Sequence, residues 1–193
     1  MKRALTLLIA VCAILAFTAC GNNAEILAPE GILSDYIVIG GEQICISLTE
    51  LHLRGKGLSD DDIVPLRYMT NLERLDLRDN QISDLSPLSD LTNLRRVNLR
   101  GNQISDLSPL SGLSSLGRLN LRDNQITDLL TLSGLTDLWR VNLRDNQISD
   151  LSSLSDLTNL TVLNLRGNQI SNFLPLAGLT NLTEVDLRDN STN

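Results

Sequence analysis

Arginine is the residue type in this chain whose spacing indicates chemistry. One series of seven arginines recurs every 22 residues after a first interval of 24, and a second series of four precedes members of the first by four residues. Guanidinium groups form forked hydrogen bonds with carboxylates and phosphates, so regularly spaced arginines indicate an anion-binding surface or an array of ion pairs. The first series is Arg54, Arg78, Arg100, Arg122, Arg144, Arg166 and Arg188, and the second is Arg74, Arg96, Arg118 and Arg140.

Residue types that carry catalysis are scarce. The 193-residue chain has one histidine, His52, and no two cysteines at a metal-ligand spacing. A nucleophilic serine needs a base within hydrogen-bond reach, and His52 lacks the companions that a catalytic triad requires. The sequence therefore predicts a protein that is not an enzyme and that holds no metal and no cofactor.

The net charge bears on the class of partner. The whole chain carries a formal charge of -7, and the chain from residue 20 onward has 14 basic and 23 acidic residues, a net charge of -9. Nucleic-acid binding depends on a basic protein surface that neutralises phosphates. The balance therefore predicts no nucleic-acid partner.

The arginines belong to a repeat that is rich in leucine, which supplies 42 of the residues. Rows of 22 residues aligned from Leu72 share the pattern LxxLxLxxN, with five complete rows over 72–181, a partial row over 182–193, and an atypical first row with two extra residues over 48–71. Below, a residue's place is its position in its row, so that Arg74 is at place three and Arg78 at place seven. Place nine carries an asparagine in six rows, at Asn80, Asn102, Asn124, Asn146, Asn168 and Asn190.

The pattern within a row predicts its local structure. In Leu75-Asp76-Leu77 apolar and polar residues alternate, which is typical of a short strand with its leucines turned inward. The asparagine at place nine can satisfy backbone groups that the following turn leaves unpaired, so stacked rows would form an asparagine ladder. The return segment, with Ser, Asp and Pro87, favours a short 3-10 turn. Strands are predicted near 51–53, 74–77, 96–99, 118–121, 140–143, 162–165 and 184–187.

The whole row resembles the 22-residue class of leucine-rich repeat found in bacterial internalins, both in LxxLxLxxN and in the ISDLSPLxxLTN of its second half. The resemblance implies a right-handed solenoid of the horseshoe type, with short parallel strands on the concave face and short 3-10 turns or loops on the convex face. Residues 36–47 read as two short strands around Gly40-Gly41 and are predicted to form an N-terminal β-hairpin cap.

The N-terminus resembles a lipoprotein signal. It has a basic start at Lys2 and Arg3, an apolar run, and small residues before Cys20. We expect a signal peptide over 1–19, acylation of Cys20, and a tether over 20–35 that holds the protein at the bacterial cell membrane or outer membrane. A plain secretory signal and an uncleaved anchor are the alternatives. With Cys20 acylated, Cys45 is expected to be a lone, small buried hydrophobe.

In such a solenoid, binding usually uses the concave face, at places three, five and seven. Two interpretations of its arginines stay open: contact with an acidic partner, or a solvated lattice of ion pairs in near-identical, recently duplicated rows. Trp139 is the one aromatic candidate there, as a rim contact or a packed surface residue. The binding candidates are Arg74, Arg78, Arg96, Arg100, Arg118, Arg122, Arg140, Arg144, Arg166 and Arg188, with Asn98, Asn120, Asn142, Asn164 and Trp139.

These features predict a monomeric, envelope-anchored recognition module. Its partner would be a protein, acidic in one version of the hypothesis, or an anionic surface polymer. The alternative is a structural or spacer lipoprotein, or a truncated relic, without a specific ligand.

Overall fold

The N-terminal hairpin comes first in the described chain. A computed structural model describes residues 35–191. Strands β1 (Tyr36–Ile39) and β2 (Glu42–Cys45) pair antiparallel across Gly40 and Gly41, which both have positive φ, the conformation that favours glycine in tight turns. Ile37, Ile39 and Ile44 are buried and join the same apolar core as the repeats. The hairpin therefore covers apolar surface at the start of the solenoid.

Each row that follows forms one three-residue strand, and in most rows a short 3-10 helix returns the chain. The strands form one sheet of seven in chain order, all parallel, from β3 to β9. Their bounds are β3 (Glu50–His52), β4 (Arg74–Asp76), β5 (Arg96–Asn98), β6 (Arg118–Asn120), β7 (Arg140–Asn142), β8 (Val162–Asn164) and β9 (Glu184–Asp186). The 3-10 helices are Val64–Tyr68, Ser86–Leu88, Ser108–Leu110, Leu130–Gly134, Ser152–Leu154 and Leu174–Leu176.

The register stacks equal places of successive rows on one another. Arg96 lies beside Arg118, and Arg118 beside Arg140, across adjacent strands. This confirms the predicted leucine-rich repeat solenoid. The strands begin where the pattern predicts, except that β3 begins one residue earlier, because Glu50 pairs with Arg74 in the register of the later rows.

The core consists of the leucines and valines at places four and six together with the leucines and isoleucines of the return segments. Leu99, Leu121 and Leu143 are completely buried. Since each of these side chains packs against the rows on both sides, neighbouring rows share their apolar contacts.

The asparagines at place nine connect adjacent rows through buried hydrogen bonds. Asn124 donates from Nδ2 to the carbonyls of Leu99 and Leu121, both at 3.0 Å, and its Oδ1 accepts from the Ile104 N–H at 3.0 Å. The same arrangement recurs from Asn80 to Asn190. Backbone groups that the turn would leave unpaired are thus satisfied inside the solenoid.

The first row uses its two extra residues for a one-turn helix, α1 (Asp60–Ile63). Asp62 accepts hydrogen bonds from the backbone N–H and hydroxyl of Ser59, and Asp60 accepts from the backbone N–H groups of Ser83 and Asp84. The acidic run therefore caps α1 and ties the first row to the second.

Cys45, at the end of β2, is half-buried and disulfide-bonded. The expectation of a lone thiol is therefore wrong, because that expectation assumed that acylation of Cys20 leaves no partner.

The proposed signal peptide, Cys20 and nearly all of the tether lie outside the described residues. Within residues 35–191, no helix is both long and apolar enough to cross a membrane.

Candidate functional site on the concave face

Strand geometry places the polar columns. Because side chains alternate along a strand, the leucines at places four and six point into the core and the residues at places three and five point to the other face. Place seven follows the strand directly. The structure therefore brings the predicted binding candidates at places three, five and seven together on one surface.

The arginines at place seven are all close to carboxylates, at nitrogen–oxygen distances of 2.6 to 3.4 Å. Where the row carries aspartate at place eight, as at Asp145, the arginine can pair within its own row, as Arg144 does at 2.9 Å. Where place eight is glycine, as at Gly101, the arginine reaches the next row, as Arg100 does to Asp123 at 3.2 Å. Arg78 and Arg188 pair instead with the aspartates at place five, Asp76 and Asp186.

Place eight is occupied by aspartate or glycine for a backbone reason. All seven residues there have φ between 56° and 70°, in the left-handed region that glycine enters freely and that aspartate tolerates better than most residues. They are Gly55, Asp79, Gly101, Asp123, Asp145, Gly167 and Asp189. The four aspartates among these turns therefore supply the carboxylates that pair with five of the seven place-seven arginines, and Asp76 and Asp186 pair with the other two.

Place three differs. Arg74 pairs with Glu50 at 3.1 Å, but among residues 35–191 no carboxylate lies within ion-pair distance of Arg96, Arg118 or Arg140. These three arginines are stacked in register on β5, β6 and β7. Parallel strands lie about 4.8 Å apart, so three like charges are held next to one another.

Trp139 lies beside the middle arginine. The Arg118 guanidinium carbon is 4.1 Å from the centroid of the indole ring, within cation–π range. The indole also fills the space above Gly117, where a Cβ would come within 2.9 Å of its Nε1. Trp139 is half-buried and supports Arg118 from the adjacent row.

The environment of Arg118 reflects this crowding. Its Nε is buried and has no hydrogen-bond partner in the part of the chain that the structure describes. Desolvation lowers the pKa of the Arg118 guanidinium, and the positive charges of Arg96, Arg140 and Arg74 lower it further. The shift leaves the group protonated at neutral pH.

The asparagines at place five have a fixed amide orientation. The Oδ1 atoms of Asn98, Asn120 and Asn142 accept hydrogen bonds from the backbone N–H two residues later, at 3.3, 3.2 and 3.1 Å. A backbone N–H only donates, so it must face the oxygen, and each Nδ2 is left as a donor on the concave side. Asn164 repeats the arrangement at 3.1 Å.

These residues line a shallow pocket of about 340 Å³. Its lining includes the three asparagines of β5, β6 and β7, the place-three arginines, and Leu75, Val97 and Leu119 of the strands. Glu50, His52 and Asp76 close one end. His52 is exposed and lies 3.2 Å from Glu50, an arrangement that offers no nucleophile to activate. Among residues 35–191, no group of His, Cys, Asp or Glu side chains could hold a metal ion.

Sequence reasoning identified both arginine columns but did not separate them. The separating signal was the restriction of place eight to Asp or Gly, which indicates a left-handed turn residue and, where it is Asp, a carboxylate next to place seven. The contact between Trp139 and Arg118 and the orientation of the asparagine amides had no signal in the sequence.

The chain matches the family described as Leucine Rich repeats (2 copies) over residues 46–90, 70–112, 92–137, 140–178 and 158–193. It therefore belongs to the leucine-rich repeat family. No curated protein matches the sequence.

Solved structures narrow the class to internalin-like proteins. Internalin C2 (inlC2) from Listeria monocytogenes is 35% identical, with a TM-score of 0.61 over 79% of this chain and 78% of that one. An internalin (inlF) from the same species is 29% identical, with a TM-score of 0.63 over 79% of this chain. The present chain spans 52% of the length of inlF. Both similarities agree with the resemblance that the row pattern indicated.

Proposed function

We propose that this chain is an envelope-anchored recognition protein that binds a protein partner with its concave face. The observation that carries the proposal is the segregation of charge. Eleven arginines and four carboxylates at places three, five and seven leave +7 there. The four aspartates at place eight, which pair with place seven, reduce this to +3, and the remainder of the chain from residue 20 carries -12. A basic concave surface on an acidic protein steers acidic partners toward that face. The leucine-rich repeat class supports the choice of a protein as ligand, because its curved sheets present extended binding surfaces.

The anchor belongs to the same proposal. Acylation of Cys20 would hold the monomeric solenoid outside the cell, on the cell membrane or outer membrane, with residues 21–35 as the spacer. Cys20→Ala should release the protein into the soluble fraction or block its maturation. Membrane association that is unchanged in this variant would favour an uncleaved anchor.

The disulfide at Cys45 bears directly on this anchor. Cys12 and Cys20 are the two other cysteines of the sequence, and the Cys20 sulfur cannot form both a lipid thioether and a disulfide. The intact mass of the mature protein before and after reduction separates the two chemistries. A lipid mass that survives reduction supports the anchor.

The second candidate function is a structural or spacer element of the envelope. It is favoured by the place-seven column, in which every arginine is already close to a carboxylate. A surface whose charges are internally paired needs no ligand. The two candidates predict different results when the concave face is tested for contacts in the envelope.

The test places a photo-reactive residue at Asn120, on the concave face, in the full chain within its native envelope. Irradiation should give a discrete adduct with another protein. The matched control is the same substitution at Thr127, an exposed residue in the return segment of the same row. If the two positions give the same adducts, or neither gives one, the recognition function is wrong and the spacer function is favoured.

A further inference from the structure

We propose that six side chains on β5, β6 and β7 bind a row of carboxylates on an acidic protein partner. This inference rests on the proposed function and names the group that the concave face recognises. The six residues, called the donor strip below, are Arg96, Arg118, Arg140, Asn98, Asn120 and Asn142.

The two arginine columns differ in how their positive charge is neutralised. The arginines at place seven in these rows, Arg100, Arg122 and Arg144, lie 2.9 to 3.4 Å from Asp123 or Asp145. Among residues 35–191, no carboxylate lies within ion-pair distance of the arginines at place three in the same rows. These arginines are stacked next to one another on adjacent strands. Like charges at this spacing repel each other, and a bound anion relieves that repulsion.

The polar side chains of the donor strip face the pocket with hydrogen-bond donors. Guanidinium groups have donors and no acceptor. Because the backbone N–H groups of residues 100, 122 and 144 occupy the Oδ1 atoms of the asparagines, these side chains also face the pocket with their NH₂ groups. A surface that presents donors from every polar side chain is complementary to groups that only accept, and ionised carboxylates are such groups.

The donor strip has a defined end on each side. Before it, Arg74 is neutralised by Glu50, and Asp76 occupies place five. After it, place three changes to Val162 and then to Glu184. A carboxylate of the partner that lies beyond the three central rows would be opposite an acidic or an apolar side chain of this chain. The strip therefore accepts a short acidic row in one position along the sheet.

Arg118 is held in place before a ligand binds. Its guanidinium packs on Trp139, with the guanidinium carbon 4.1 Å from the centroid of the indole ring. A side chain that is already ordered loses less conformational entropy when it binds a ligand. Arg118 is thus the central contact of the strip, and Trp139 is its positioning residue.

The spacing favours a helical partner. Successive rows of the strip are separated by about 4.8 Å. Residues three or four apart on a helix have Cβ atoms about 5–6 Å apart, whereas alternate residues on an extended strand are separated by about 6.6 Å. Carboxylates at i, i+4 and i+7 of a helix therefore match the rows of the strip more closely than those of a strand do.

The probe is a helical peptide with glutamates at i, i+4 and i+7, compared with a peptide of the same composition whose glutamates are distributed around the helix. Binding to the full chain is measured by fluorescence anisotropy at low salt. Two variants lose three positive charges from the same three rows: Arg96→Gln/Arg118→Gln/Arg140→Gln in the strip, and Arg100→Gln/Arg122→Gln/Arg144→Gln at place seven. We expect the strip variant to bind the striped peptide about tenfold more weakly or worse, because it loses several exposed charge pairs that each contribute a few-fold.

The place-seven variant should lose clearly less affinity than the strip variant, about threefold, since its arginines are already paired with Asp123 or Asp145 and their loss acts on the peptide only through screened long-range charge. Circular dichroism melting of both variants controls for folding. The proposal is overturned if both variants lose affinity equally, if neither does, if the wild type binds both peptides alike, or if no peptide binds. Strip-dependent binding of dextran sulfate without peptide binding would also overturn it, in favour of an anionic polymer.

The proposed function and this inference can fail separately. The photo-adduct at Asn120 is measured in the full chain that also carries each triple substitution. Loss of the adduct in the strip variant alone supports the inference. If the adduct persists in the strip variant, the recognition function is supported and the inference about the donor strip is wrong.

Discussion

In the central rows, the two arginine columns of the concave face carry the same residue type in different surroundings. At place seven, every arginine lies near an aspartate of its own row or an adjacent row. At place three in the central rows, the neighbours are other arginines, asparagine NH₂ groups and Trp139. The difference arises because a left-handed turn residue follows place seven and can be aspartate, whereas no such residue adjoins place three. A repeated residue type therefore does not have one role in a solenoid.

The largest effect is expected from Leu121→Asp, which tests whether both columns depend on the same core. Leu121 is completely buried, and an unpaired charge there should cost about 4 kcal/mol or more and melt neighbouring rows together. Denaturant unfolding measures this, with Leu121→Met as a control expected to cost under about 1.5 kcal/mol. If Leu121→Asp unfolds no more easily than the control, neighbouring rows do not share a core.

Asn124→Ala should have the next largest effect. It compares the contribution to stability of the buried asparagines at place nine with that of the asparagines at place five on the concave face. The substitution leaves the buried N–H of Ile104 without its acceptor and removes one of the two asparagine donors from each of the Leu99 and Leu121 carbonyls, at a cost of about 2 kcal/mol. Asn120→Ala, on the half-buried concave side, should cost less than about 1 kcal/mol. Equal losses of unfolding free energy in the two variants would show that the ladder adds nothing beyond the surface asparagines.

A pair of charge-neutralising variants compares the columns within one row. Arg144→Gln loses the ion pair with Asp145 and should lower the unfolding free energy by up to about 1 kcal/mol. Arg140→Gln breaks no ion pair and removes a charge that crowds Arg118, so stability should be unchanged or slightly higher. Salt should reduce the difference between the variants. A larger loss for Arg140→Gln than for Arg144→Gln would reverse the comparison.

The smallest effect is the pH dependence of the pair formed in the last row by Asp186 at place five and Arg188 at place seven. Hydrogen bonds from Arg188 lower the pKa of Asp186 to about 2. Because the folded pKa lies below the unfolded value of about 3.9, the stabilisation is complete above pH ~5 and disappears as the pH falls toward 2. For this solvent-screened pair we expect a few tenths of a kcal/mol. The pH profile of unfolding should be flatter by that amount in Asp186→Asn, and an identical profile would count against the pairing.

The sequence predicted the fold almost completely, because each leucine has one structural role and the interval of 22 residues fixes the register. The strands begin within one residue of the predicted positions. The site was less predictable. Which carboxylate pairs with Arg100 depends on the absence of a side chain at Gly101, and the orientation of Asn120 depends on a backbone N–H two residues away. The disulfide at Cys45 was missed because it depends on the chemical state of the other cysteines.

The left-handed residue at place eight has a consequence for how this surface can evolve. Aspartate and glycine codons differ by a single base, and both residues suit the backbone conformation found in all seven turns. A point mutation there can add or delete a carboxylate beside the arginine columns while the strand, the ladder and the core are kept. Rows can therefore diverge in surface charge one codon at a time, and the charge of the concave face can change while the fold is kept.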